Sequence, residues 1–443
     1  MITDINTKDT KLIWKIAFPF ILGSLWQPII GILNTYVVGH LENENFLASL
    51  AYGNSIIHPF YWIFGSVGMA ITGFTSQKTG LNEKDKILSI LNTSVMFMII
   101  ASIIIIIFQS SLWNLYSYIY DQNPIIENLT KDYYSISILG IAPQLIIVSS
   151  SSWFLGLKKP KKIFQIWSVL GISHMLSIYI FTSYYDLKLV GIAYSTILSQ
   201  WLTLVFLIFQ VGIILKDLKI KFFIGFLSKS EIVFLGKSFI NLFVRTFMLQ
   251  SIYIVGTYVS TNLSSTILAT YGLFLQLISV SYLTIDGPTL GSSPLIGENF
   301  AEKNIHRLKK IYKNAFLSGI ITAFLFSLIF LIFGNQLINA MTDIKSVRIE
   351  SYKYIYLVGF LPIVSAWSFQ LDGAFSGMLK TKEMRDTMII SAIVYFIAIF
   401  SITNFWGNYG VWIAYLFFAL TRGISLNYHM NKILNKIQIN EKH

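Results

Sequence analysis

The chain has 443 residues, of which 54% are hydrophobic and only 12% charged, with a mean hydropathy of +0.64. Soluble domains carry about 25% charged residues, so a soluble globular fold is excluded; the absence of cysteine likewise excludes disulfides, thiolate catalysis and Cys-ligated metals. The formal net charge of +12 does not signal nucleic acid, because the basic residues sit in short loops between apolar runs.

Those runs recur along the whole chain, each about the 20 residues that a helix needs to cross a hydrocarbon core of about 30 Å. In chain order they predict helices over 12–38, 46–76, 87–113, 133–157, 162–184, 190–215, 231–259, 264–296, 311–333, 352–379, 388–404 and 408–430. The first is too long for a signal-peptide core and lacks a small-x-small cleavage site, so it reads as a retained span. Pro19, Pro28, Pro59, Pro143 and Pro362 fall inside spans, where each removes a backbone hydrogen bond and favours a bend.

Of the 33 Lys and Arg residues, 27 fall on one side of this arrangement, Arg422 among them. Five fall on the other (Lys131, Lys188, Lys345, Arg348 and Lys353), and Arg245 lies within the seventh span. The bias predicts cytoplasmic N- and C-termini.

The two halves read as copies. Gly140-Ile-Ala-Pro143 answers Gly359-Phe-Leu-Pro362 and Gly191-Ile-Ala-Tyr194 answers Gly410-Val-Trp-Ile-Ala-Tyr415, both at an offset of 219, while Gly156 answers Gly377 at 221. Six spans per half is an even number, so both halves insert the same way up. The expectation is an all-α integral membrane protein, with 12 transmembrane helices in two parallel six-helix lobes, 1–220 and 221–443.

Specific motifs lie on this frame. Pro28-Ile-Ile-Gly-Ile-Leu-Asn-Thr-Tyr-Val-Val-Gly-His-Leu41 resembles the first-helix pattern of the multidrug and toxic compound extrusion (MATE) family. Phe243-Val-Arg-Thr-Phe-Met-Leu249, Ile285-Asp-Gly-Pro288 with Leu295-Ile-Gly297, Leu371-Asp-Gly-Ala-Phe-Ser-Gly377, Thr381-Lys-Glu-Met-Arg385 and Trp412-Ile-Ala-Tyr-Leu-Phe-Phe-Ala-Leu-Thr-Arg-Gly423 are similar to its DinF-like (DNA-damage-inducible) branch. The resemblance covers essentially the whole chain. It implies a transporter and no enzyme: efflux of organic, cationic or amphipathic small molecules by alternating access, coupled to protons or sodium. Two positions depart from the family pattern: Asn34 stands where the branch commonly has a first-helix Asp, and Ser293 where a Glu often follows the Asp-Gly pair.

Ionisable residues inside spans are costly, about 2.5–3.5 kcal/mol at the bilayer centre on insertion scales, and are functional candidates by default. The first half has no Asp or Glu in its span interiors; the second has Asp286, Asp372 and Arg245. These three are the ion-coupling candidates, with Asp372 foremost and Arg245 as the partner that keeps an acid charged. Asp286, beside Gly287 and Pro288, suggests a broken helix with exposed carbonyls. Asp372→Asn, at nearly constant volume, is expected to leave folding largely intact. Asn34 and Gln27, with Thr35, are substrate-cavity candidates as neutral hydrogen-bonding groups, and Trp26 and Tyr61, with Trp62, as aromatic faces for a cation. His58 and His174 have no metal spacing and read as packing residues, and neither Gly80 nor the Lys158 to Lys162 cluster resembles a phosphate-binding loop. No catalytic residue, metal or cofactor beyond the coupling ion is expected, nor a nucleic-acid partner; the partners are a small-molecule substrate and the inner-membrane bilayer, and the protein is expected to be a monomer. The alternatives are a lipid-linked oligosaccharide flippase, disfavoured because Arg245 is the only deep basic residue, and an integral-membrane acyltransferase, disfavoured because neither histidine has a carboxylate neighbour.

Overall fold

The computed structural model describes residues 7–41, 43–119, 123–221, 223 and 225–440. Among them there are helices and no strands, and twelve helical segments are long and apolar enough to cross a membrane. The first is formed by α1 (Thr7–Ser24) and α2 (Trp26–Gly39), followed by α3 (Glu44–Gly80), then α4 (Lys84–Ile107) with the short α5 (Gln109–Ile119). The fourth is formed by α6 (Pro124–Ser137) and α7 (Ile141–Gly156), and α8 (Pro160–Ile178) and α9 (Lys188–Asp217) complete the first half. The second half is α10 (Lys229–Leu263), α11 (Ser265–Ala301), α12 (Ile305–Met341), α13 (Lys345–Gly377), α14 (Thr381–Trp406) and α15 (Asn408–Asn440).

Each predicted span has its helix, though several helices run past the apolar stretch. The run 311–333 becomes Ile305–Met341, with Lys309, Lys310 and Lys313 inside the helix. Hydropathy marks lipid contact, whereas a helix continues until its end groups are capped. Polar caps mark several starts: Asn43 accepts from Asn45 N (2.9 Å), Asn123 from Ile125 N (3.0 Å) and Ser264 from Ile267 N (3.1 Å).

Two of the five prolines interrupt their spans. Pro28 lacks the N–H that would bond the Ser24 carbonyl, and α1 ends at Ser24. Pro143 stands in the same relation to Leu139, which lies in a 3-10 turn, Ile138–Gly140, between α6 and α7. In contrast α11 runs unbroken through Pro288 and Pro294, which corrects the expectation of a broken helix at Asp286. Gln370 Nε2 of α13 donates to the Ile285 carbonyl of α11 (3.1 Å), a further tie between these two helices.

The described chain divides into two compact units, Pro19–Leu235 and Gly236–His443 together with Met1–Phe18. The division lies later than the 220/221 boundary read from sequence because the connecting segment is bonded to the first unit. Asn92 Nδ2 donates to the Phe223 and Gly225 carbonyls, Leu227 N donates to Thr93 Oγ1, and Glu231 pairs with Lys86 at 2.6 Å. The start of α1 groups with the second half, where the Ile13 carbonyl lies against Gly291.

Within each unit the same helices pair. In the first, α3 packs on α7, α4 on α7 and α8 on α9; in the second, α11 packs on α13, α12 on α13 and α14 on α15. The register is visible atom by atom. Gly156 closes on Thr72 in the first unit and Gly377 on Ser293 in the second; Gly68 meets Ser152, and Gly373 meets Thr289. Every one of these positions maps onto its counterpart at an offset of 221. So do four helix ends: Asn82, Lys158, Lys303 and Leu379 have φ of 56°, 57°, 59° and 57°. At each, the next N–H reaches back to the carbonyl five residues earlier: Glu83 to Lys78, Lys159 to Phe154, Asn304 to Asn299 and Lys380 to Phe375.

A side chain at Gly373 has no room, since its Cβ would lie 2.6 Å from the Thr289 carbonyl oxygen, which is backbone and cannot turn aside. Gly373→Ala is expected to cost about 1–3 kcal/mol by forcing α11 and α13 apart. Gly31→Ala, where nothing lies within 4 Å, should be neutral or slightly stabilising. Thermal unfolding of the two variants in detergent checks this, and equal midpoints would contradict it.

Candidate functional site

The close α11–α13 contact made by Gly373 and Gly377 sets Asp372 into the interior of the second unit, 7% exposed. Both carboxylate oxygens are taken. Arg245 Nη2, from α10, donates to Oδ2 at 2.8 Å, and Arg422 Nη2, from α15, donates to Oδ1 at 2.7 Å. Arg422 is 2% exposed, and its Nη1 also donates to the Met384 carbonyl and Thr387 Oγ1 of α14, each at 3.2 Å. Three helices are thereby tied to one carboxylate, and Arg422 is fixed on two sides. Arg245 is held less completely, its Nε being buried without a partner.

Asp286 on α11 is half-buried and within electrostatic range of Arg245 and Asp372. Among the described residues no hydrogen bond or ion pair reaches its carboxylate. With both acids ionised the two arginines balance them, so this is a neutral cluster with one unengaged carboxylate. Ser293, standing where the family often has Glu, donates to Ser376 Oγ at 3.3 Å and helps close α11 on α13.

Arg422 corrects the sequence reading, which counted it with the loop charges and named Arg245 as the only deep basic residue. It lies within the predicted span 408–430, and an arginine inside an apolar span is itself the signal that identifies it.

The first unit holds a different, uncharged arrangement. Asn34 on α2 is buried, and His174 Nε2 on α8 donates to its Oδ1 at 2.8 Å. Trp26 lies on the same side of α2: its Nε1 donates to Ser168 Oγ at 3.2 Å and its ring rests on Gly171, which has no side chain to obstruct it. Asn34 and Trp26 are therefore α2–α8 contacts, whereas Gln27, Thr35 and Trp62 are exposed on this unit. Tyr61 belongs to a separate cluster, where Gln200 Nε2 donates to its Oη (3.3 Å) and to Gln144 Oε1 (3.4 Å). The Asn34–His174 pair was not read from sequence, because residues 140 apart meet only through the α2–α8 register.

Twelve candidate spans among the described residues, the same helix pairings repeated in two compact units, and a buried ionic cluster in one of them define a polytopic membrane protein of the transporter class. The MatE family model matches residues 19–180 and 242–402, and the chain belongs to the MATE family. It is 22% identical to the DNA damage-inducible protein F of Escherichia coli (strain K12), over 95% of this chain and 92% of that protein. It is also 22% identical to the probable multidrug resistance protein NorM of Haemophilus ducreyi, over 85% of this chain and 82% of the other. Among solved structures, a MATE protein in the bent conformation has a TM-score of 0.90 at 13% identity, covering 99% of this chain and 100% of its own. The Vibrio cholerae MATE transporter VcmN has a TM-score of 0.87 at 14% identity, covering 97% and 98%.

Proposed function

We propose that this protein is a cation-coupled antiporter of the cytoplasmic membrane, with cytoplasmic termini, that exports organic cationic or amphipathic small molecules by alternating access. It works as a monomer and needs no cofactor beyond the coupling ion, a proton or sodium. The observation that carries the reading is the ionic cluster of the second unit, where two arginines bond both oxygens of Asp372 and the Asp286 carboxylate is left without a bond. A carboxylate kept at that cost with no hydrogen bond or ion pair of its own is suited to exchange a cation for substrate. Asp372 and the two arginines set the field in which Asp286 works. Relatives named for multidrug resistance and multidrug export support the efflux direction.

The second deep arginine does not favour a lipid-linked oligosaccharide flippase, since both guanidinium groups are committed to Asp372 rather than free for a diphosphate. Purified protein in liposomes, given a panel of cationic dyes and an imposed pH or sodium gradient in turn, is expected to move dye against its gradient with one ion and not the other. Dye movement that ignores both gradients would end the antiport reading.

A further inference from the structure

We propose that a basic cavity between the starts of α10 and α14 binds the phosphate headgroup of an anionic phospholipid. The cavity has a volume of about 300 Å³ and is lined by Lys237, Ile240 and Asn241 of α10 and by Lys382 and Arg385 of α14. Side chains fix its frame: Asn241 Nδ2 donates to Thr381 Oγ1 (3.2 Å) and Arg385 Nη1 donates to Asn241 Oδ1 (2.8 Å).

The cations of this cavity are only partly matched. Lys78 and Lys86 of the first unit have partners in Glu83 and Glu231, whereas among the described residues no ion pair reaches Lys237 or Lys382, both of them exposed. Arg385 directs Nε and Nη2 to Asp386 Oδ1 and Nη1 to Asn241, which leaves two of its five N–H groups for a ligand. Asp386 and Glu383 are the acids of this part of α14, and neither lines the cavity.

Helix length places these groups at headgroup level. The 35 residues of α10 and 26 of α14 span about 52 and about 39 Å, against a hydrocarbon core of about 30 Å. Centred on that core, α10 leaves about seven residues outside at each end and α14 about three. Lys237, Lys382 and Arg385 therefore fall at the boundary. From there each helix continues with exposed apolar side chains on the face of its lysine: Ile240 and Phe247 after Lys237, and Ile390, Ile393 and Ile397 after Lys382. A phosphate site at the boundary with apolar faces running on into the core fits a phospholipid, whereas a free anion makes no use of those faces. Anionic headgroups are drawn to such basic clusters by about fivefold per Lys or Arg. The charge bias assigns this end to the cytoplasmic side, so the lipid belongs to the inner leaflet, a point that rests on the orientation proposed above.

The chain has no cysteine, so a thiol introduced at Ile240, which lines the cavity and is 63% exposed, reports its occupancy. Ile424→Cys is the reference, 58% exposed on α15 and close in sequence to Arg422, which bonds Met384 at the same end. N-ethylmaleimide labelling is compared in liposomes of phosphatidylcholine alone and of phosphatidylcholine and phosphatidylglycerol in equal parts. With phosphatidylglycerol the Ile240→Cys rate, relative to Ile424→Cys, is expected to fall about threefold or more, and Lys237→Gln with Lys382→Gln should remove that protection. A ratio that is the same in both liposomes, or protection that survives the double variant, overturns the proposal. So does equal protection by inorganic phosphate added to phosphatidylcholine liposomes, which would mark a site for a free anion. Should the double variant fail to fold, salt decides on the Ile240→Cys chain. Protection must weaken as NaCl rises from about 0.1 M to about 1 M, where the Debye length falls from about 10 Å to about 3 Å; protection indifferent to salt overturns the proposal. No step measures transport, so failure here is distinct from failure of dye efflux in liposomes.

Discussion

Asp372→Asn is expected to be more damaging to folding than either Arg422→Leu or Arg245→Leu. Nearly constant volume suggests a mild change, but two guanidinium groups bond the two oxygens of this carboxylate, and an amide leaves both without their counter-charge. Arg422 cannot withdraw, because its Nη1 is bonded to the Met384 carbonyl and Thr387 and its side chain is 3% exposed. Stranding buried charge in this way costs about 3–5 kcal/mol. Arg422→Leu should cost less, since Arg245 still neutralises the acid. Arg245→Leu should cost least, because that side chain is 14% exposed and makes one bond to Asp372. The pairing is tested by the double variant: Asp372→Asn with Arg422→Leu removes one stranded cation together with its partner and should recover part of the loss. The check is thermal unfolding of the purified proteins in detergent. A double variant whose loss equals the sum of its singles, or Asp372→Asn unfolding at the wild-type temperature, would show that the bonds carry no such energy.

What could be read from sequence follows from the range of each interaction. The twelve spans were legible because lipid exposure is a property of each stretch by itself: Ile32, Ile107 and Val205 are all outward-facing, whatever packs behind them. The repeat was legible through glycines such as Gly156 and Gly377, since a helix that must approach a neighbouring backbone has few alternatives. The breaks were legible only in part. Pro28 and Pro143 mark real interruptions, whereas Pro288 looks the same in sequence and interrupts nothing. Pro19, Pro59 and Pro362 likewise lie inside unbroken helices, so the residue type alone does not decide. Side-chain partnerships between helices were not legible at all. Asp372 and Arg245 stood out as expensive residues, but that Arg422 completes the carboxylate, or that His174 meets Asn34, depends on helix rotations that no single stretch of sequence encodes.

The ionic cluster further implies that stability and transport separate between its two acids. Asp286→Asn is expected to leave the unfolding temperature unchanged or raise it, the reverse of Asp372→Asn. Among the described residues its carboxylate has no bond to lose, and a charged side chain deep in a span costs about 2.5–3.5 kcal/mol on insertion scales, which the amide avoids in part. The same substitution should abolish gradient-driven dye efflux, because an amide neither takes up a proton nor offers sodium a charged oxygen. Dye binding should persist, since Asp372, Arg245 and Arg422 remain balanced to within one charge. Asp286→Glu, which restores the carboxylate on a longer stem, should recover coupling in part. Stability is read by thermal unfolding, binding by dye fluorescence and coupling in liposomes, on one preparation of each variant. Asp286→Asn protein that still exports dye at the wild-type rate under the gradient would remove Asp286 from the coupling step. It would leave Asp372, with an arginine displaced by the incoming cation, as the carboxylate to test next.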